Sequence, residues 1–147
     1  MAFRFALAPL LRLRQGIERQ RTLQLQEANL RVSRAQETLA QLDRYLSDSA
    51  QSDATALIAG RTAAELQFAS ALRENLHRFR QELQSDIRKL ELVRQQAAIE
   101  YHQAYREREV LEALRARQRR DYQQEQLRRQ QQELDAAYLL QRWHHRT

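Results

Sequence analysis

Apolar residues recur along this chain at alternating steps of three and four. Leu25, Ala28, Val32, Ala35, Leu39, Leu42 and Leu46 keep that spacing without a slip, which is the seam of a heptad coiled coil. Upstream the stripe continues more loosely through Leu10, Leu13 and Ile17, and Pro9 stands where a helix start accepts proline. A second series runs Ala69, Leu72, Leu76, Phe79, Leu83, Ile87 and Leu90, with one 4-4 step at Phe79-Leu83-Ile87, a stutter in the repeat. Beyond Leu90 the series decays into Arg94, Ala97, Tyr101, Ala104, Arg108, Leu111, Arg115, Gln118 and Tyr122.

Between the two series lies SDSAQSDATALIAG, Ser47 to Gly60. Ser and Asp cluster there, Ser52 or Asp53 suits the cap of a short helical turn through Leu57, and Gly60 suits a turn or helix C-cap. Thr62-Ala63-Ala64-Glu65 has the S/T-x-x-E form that opens a helix by reciprocal capping. The pattern therefore predicts a helix over about 7–46, a connection over 47–61 and a long helix over about 62–143, in a single coiled-coil domain spanning 1–147. Gly16 falls inside the first helix, where it weakens it by about 1 kcal/mol relative to Ala.

Folding the chain back at the interruption pairs Leu46 with Ala69, Leu42 with Leu72, Leu39 with Leu76, Ala35 with Phe79, Val32 with Leu83, Ala28 with Ile87 and Leu25 with Leu90. Each pair of indices totals 114 or 115, and a constant total is what an antiparallel pair of helices requires. Each Ala on the first strand of this ladder meets a larger residue, as interdigitated packing wants. The expected fold is all-α: an elongated antiparallel two-helix coiled coil with a short helical turn at the hairpin and a C-terminal helix overhang. In this register the first helix runs out near Arg108, and the overhang past Glu112 is on the order of 45–50 Å at 1.5 Å per residue.

Composition agrees with long helices and a thin core. The 147 residues include two Gly, one Pro and no Cys, so a disulfide framework or cysteine metal site is excluded. The longest uncharged apolar run, Phe5 to Leu11, is far short of the ~20 residues of a membrane span, and no cleavage-site pattern follows it. Residues 1–17 carry Arg4, Arg12 and Arg14 without an acid, a composition shared with organelle transit peptides, although the same residues also continue the helix pattern. The net charge of +6 comes almost wholly from Arg, Lys89 being the one Lys. A basic surface of this kind suits nucleic acid, an anionic membrane face, an acidic protein or simple solvation.

The overhang Leu114–Leu134 is the most polar part of the chain and has too narrow an apolar stripe to build its own core. Arg115, Arg117, Arg119, Arg120, Arg128 and Arg129 suit a phosphate backbone, but Asp121, Glu125, Glu133 and Asp135 interleave with them. Catalysis is not expected. There is no glycine-rich phosphate loop and no pocket-forming fold, and His77, His102, His144 and His145 do not fall in a metal-ligand spacing. No cofactor, metal or small-molecule substrate is implied. At the hairpin end, Tyr45 and Phe68 lie beside the seam on one flank. They either widen the local core or form an exposed aromatic patch of the kind that anchors a protein partner.

The opening Phe3-Arg4-Phe5-Ala6-Leu7, with Leu10-Leu11-Arg12-Leu13-Arg14 and Glu18, resembles that of the flagellar export protein FliJ family. So does the run Arg108-Glu109, Leu111-Glu112-Ala113-Leu114, Arg119-Arg120, Tyr122 and Leu134-Asp135. The resemblance covers essentially the whole chain. It implies a non-enzymatic, cytoplasmic component of the bacterial flagellar type III export apparatus, peripheral to the inner membrane and similar to the central stalk of rotary ATPases. The implied partners are the hexameric flagellar export ATPase, the large export-gate membrane protein and export chaperones. On the positions that match the family pattern, Leu42, Tyr45, Phe68 and Leu72 are the implied gate contacts. Leu114, Arg115, Arg119, Arg120, Tyr122 and Leu127 are the residues we assign to the ATPase ring. Thr38 and Ser49 stand where a Gln and a second Tyr are common, and Ala136 stands where an acid is usual. The nearest alternatives are the equivalent stalk of a virulence-type secretion system, an Arg-rich coiled coil on nucleic acid, or one that self-associates.

Overall fold

A computed structural model describes residues 2–146. Two helices account for nearly all of them: α1, Ala8–Ile58, and α2, Ala63–His144, packed against each other as an all-α coiled-coil hairpin. Gly60 and Thr62 make the reversal. Gly60 takes a positive φ of 81°, in the left-handed region that favours glycine, and the Arg61 N–H donates back to the Ala56 carbonyl at 3.4 Å, closing a Schellman-type end. One residue later the Glu65 N–H donates to Thr62 Oγ1 at 3.4 Å and the Thr62 N–H to Glu65 Oε2 at 3.3 Å. The capping box read from the sequence is therefore formed.

The expected connection over 47–61 is the one large departure in secondary structure. Residues 47–58 are the continuous end of α1, with no separate helical turn. Asp53 explains the difference: it caps nothing, and its half-buried carboxylate pairs instead with Arg61 at 3.6 Å and with Arg73 of α2. That clamp keeps the last turns of α1 against α2 although they carry little apolar surface.

The longer α1 moves the register. The two helix ends at the turn, Ile58 and Ala63, total 121; so do Arg21 and Glu100, paired at 2.8 Å. Asp43 and Arg80, paired at 2.5 Å, total 123. The ladder at 114–115 is thus off by one heptad. The less exposed positions of α2 give its true seam: Leu66, Ala69, Arg73, Leu76, Arg80, Leu83, Ile87, Leu90, Arg94, Ala97, Tyr101, Ala104, Arg108 and Leu111. This series alternates three and four with no stutter. It accepts arginines, whose aliphatic stems pack while the charged ends reach acids at the edge.

The chain divides into two units, described separately: residues up to Arg19 with those from Gln103 onward, and Gln20–His102. In the second unit Ala28, Val32, Leu42 and Leu46 are buried, as the heptad reading of α1 requires. In the first unit the buried residues are Phe5, Leu11 and Ala104. Leu10 and Leu13 are exposed there, and the seam runs through Leu11, Arg14 and Glu18 instead. Arg14 pairs with Glu107 at 2.5 Å, and Glu18 with Arg108. That is why the upstream stripe looked loose: its seam positions are charged.

The two glycines predict opposite responses. Gly16 sits mid-helix with open space where a Cβ would go, so Gly16→Ala should stabilise the chain by about 1 kcal/mol. Gly60→Ala, forced into the left-handed region, should destabilise it by about 1 kcal/mol. Thermal melting followed by circular dichroism measures both, and shifts of the same sign would contradict the assigned turn.

Candidate interaction surfaces

The second unit presents a shallow groove of about 840 Å³ beside the turn. Tyr45 contributes from α1; Phe68, Leu72 and Leu76 contribute from α2; and the Asp53–Arg61 pair closes the end near the turn. Phe68 is 74% exposed and Leu72 42%. The register makes these residues available. Arg73 and Arg80 occupy the seam, so the apolar stripe Phe68, Leu72, Phe79 faces outward, Phe79 being 49% exposed. Tyr45, Phe68 and Leu72 are therefore brought together as a surface. Leu42 is not, for at 9% exposure it belongs to the packed seam. Ser49 lines the same groove, and a small side chain there leaves it open. The sequence reading missed Phe79, which it had placed in the core.

The first unit carries the second surface. Phe3 reaches Tyr122 of α2, ring centroids 5.7 Å apart and planes tilted by 47°. Phe5, Leu11, Arg12 and Arg115 line a small groove next to that contact. The packed part of α2 therefore extends to Tyr122, beyond the expected limit near Arg108, because the true register carries the start of the chain further along α2. Leu114 and Tyr122 are half-buried, and Arg115, Arg119 and Arg120 line an exposed groove with Glu112.

From Leu127 to Arg146 every residue is exposed. At about 100° per residue, Leu127, Leu134 and Tyr138 fall on one side of the helix. Leu139, Leu140 and Trp143 fall on the other, and Trp143 is 70% exposed. The sequence reading stopped at Leu127 and missed this second group, whose signal is the run AAYLLQRW at 136–143.

Electrostatics reinforce the helix at both places. Hydrogen bonding to Glu18 holds the Arg108 guanidinium pKa above its usual value. Arg108 also reaches Glu112 at 2.6 Å and stacks over the Tyr105 ring at 5.0 Å. Further along, hydrogen bonds from Arg128 and Arg129 hold the Glu125 carboxyl below its ordinary 4.5. Among the described residues no group of His, Cys, Asp or Glu gathers as a metal site, and no helix is long and apolar enough to cross a membrane.

These features define a two-helix coiled-coil protein with an apolar groove beside the turn and exposed arginine-lined and apolar positions along α2. The chain belongs to the flagellar FliJ protein family, whose model matches residues 3–147, and with it to the flagellar export-related proteins. No curated protein and no solved structure matches it.

Two measurements test this electrostatic picture. Glu18→Arg should lower the melting temperature by setting like charges together, and Arg108→Glu added to it should recover most of the loss. An uncoupled double variant would rule out the pair. Because the folded pKa of Glu125 is depressed, its pairing supports the helix above pH 4.5 and is lost as pH falls through the lowered value. The NMR titration midpoint of Glu125 should lie below 4.5 and rise when Arg128 and Arg129 are both changed to Gln.

Proposed function

We propose that this chain is a non-enzymatic coiled-coil stalk of the bacterial flagellar type III export apparatus, inserting into the hexameric export ATPase and coupling it to the export gate. One observation carries the reading. The C-terminal part of α2 exposes apolar residues on opposite sides, Leu127, Leu134 and Tyr138 against Leu139, Leu140 and Trp143. A flat partner covers one side of a helix and leaves the other in water. A partner that surrounds the helix covers both, and a hexameric ring does so.

Leu114, Arg115, Arg119, Arg120, Tyr122 and Leu127 lie at the entry to that segment and serve as ring contacts, the arginines offering bidentate hydrogen bonds to carboxylates. The groove residues Tyr45, Phe68 and Leu72 serve as the gate contact, a small aromatic anchor of the kind that dominates protein interfaces. Handling of export chaperones belongs to the same role, at the cytoplasmic face of the inner membrane.

ATP hydrolysis by the purified flagellar ATPase tests the stalk reading: alone, with the full chain, and with the chain ended after Gln126. That truncation keeps the Phe3–Tyr122 contact and removes the two-sided segment. The full chain should stimulate hydrolysis and the truncated one should not. Equal stimulation by both would remove the segment from the mechanism. Separately, Phe68→Ala with Leu72→Ala should weaken binding to the cytoplasmic part of the gate by at least tenfold while circular dichroism keeps the helix content. An unchanged affinity would exclude the groove.

A further inference from the structure

The positive charge of this chain is confined to one of its two units. Residues up to Arg19 with those from Gln103 onward hold fourteen Arg against eight Asp and Glu, the whole of the net +6. Gln20–His102 holds eleven bases and eleven acids. Within the basic unit the surplus persists into the last described turns, where Arg142 and Arg146 follow Asp135 with no further acid. Those turns are helical to His144, and the His145 and Arg146 N–H groups donate to the Gln141 and Trp143 carbonyls. At about 100° per residue, Ala136, Leu139, Leu140 and Trp143 share one exposed face, and Arg142 and Arg146 border it on one side.

This face differs in kind from the other apolar side of the segment. Leu127 and Leu134 stand seven residues apart, a repeat that a helical partner can follow. Seven residues before Ala136, Leu139 and Leu140 stand Arg129, Gln132 and Glu133, so this face is confined to two turns and offers no seam. A short strip of Leu and Trp edged by Arg is the pattern of a helix lying in the plane of a bilayer surface. We propose that residues 136–146 bind an anionic bilayer surface, with the phosphates of lipid headgroups as the partners of Arg142 and Arg146. The charge of the unit draws the chain to the surface. Leu139 and Leu140 then enter the acyl boundary, and the Trp143 indole sits at headgroup level with its N–H hydrated. The segment lies on the bilayer, since no described helix is long and apolar enough to cross it. A ring that sheaths the segment covers the same side chains, so ring and bilayer exclude each other. The lipid contact itself does not depend on the stalk reading.

Trp143 is the sole tryptophan, so its fluorescence reports this contact in the full-length chain. The chain is titrated with vesicles of phosphatidylglycerol mixed with phosphatidylcholine, and with vesicles of phosphatidylcholine alone. The mixed vesicles should shift the emission to the blue, and lipids brominated on their acyl chains should quench it. Neutral vesicles should bind at least tenfold more weakly. Leu139→Ser with Leu140→Ser should abolish the shift, and Arg142→Gln with Arg146→Gln should weaken binding several-fold. Leu134→Ser with Tyr138→Ser, on the other side of the helix, should leave it unchanged. Circular dichroism on each variant establishes that it is folded. The proposal is overturned by any of four results: no shift with the anionic vesicles, an equal shift with neutral ones, vesicle binding without quenching, or equal losses from the two apolar double variants. A shift of the same size with single-stranded RNA in place of vesicles would also overturn it, by assigning the segment to polyanions in general.

Discussion

Charged pairs across the interface between α1 and α2 set where every other residue lies. Arg14–Glu107 and Glu18–Arg108 do this in one unit; Arg21–Glu100, Asp43–Arg80 and Asp53–Arg73 do it in the other. Leucines alone do not choose among positions a heptad apart, because a leucine seam looks nearly the same after each step of seven. A carboxylate and a guanidinium at defined levels break that degeneracy, the role best attested for polar groups in coiled-coil cores. Individually such half-exposed pairs contribute little free energy. Their weight lies in selection among alternatives that apolar burial leaves nearly level.

This also explains what the sequence could and could not disclose. The two helices, the heptad seam of α1, the role of Gly60 and the Thr62–Glu65 cap were all legible, because each rests on local chemistry. The register was not. A constant index total is satisfied equally well in any register a whole number of heptads away, so the ladder at 114–115 passed a test that had no power to reject it. The apparent stutter at Phe79-Leu83-Ile87 was the trace of the error. It arises when outward-facing Leu72 and Phe79 are counted into the seam and Arg73 and Arg80 are left out. Leu42 is buried where the heptad spacing of α1 places it, and only the family resemblance had joined it to the gate contacts. Arginine at a seam position carries no flag in sequence, since only its partner on the other helix tells whether the stem packs or the head is solvated.

The two units answer different demands with one helix pair. Around the groove, arginines in the seam displace aromatic and leucine side chains outward, so ion pairing and the presentation of an apolar surface are one arrangement. In the other unit, Phe3 and Phe5 close the packed region at Tyr122, and α2 continues past them with apolar residues on two sides. Membership in the flagellar FliJ protein family gives these surfaces their setting, and the proposed stalk gives each a separate partner.

The Asp53 clamp and the polar last turns of α1 bear on how this chain tolerates changes in length. Near the turn, helix can be added or removed without disturbing a large buried side chain, but only in amounts that return the seam to the same face. Insertions or deletions of seven residues matched on α1 and α2 there should be absorbed, whereas those of two or five rotate the charged positions out of reach of their partners. The distance from turn to seam is in that sense quantised. Each permitted step in length is a whole heptad on both helices, because only then does every acid still meet its arginine.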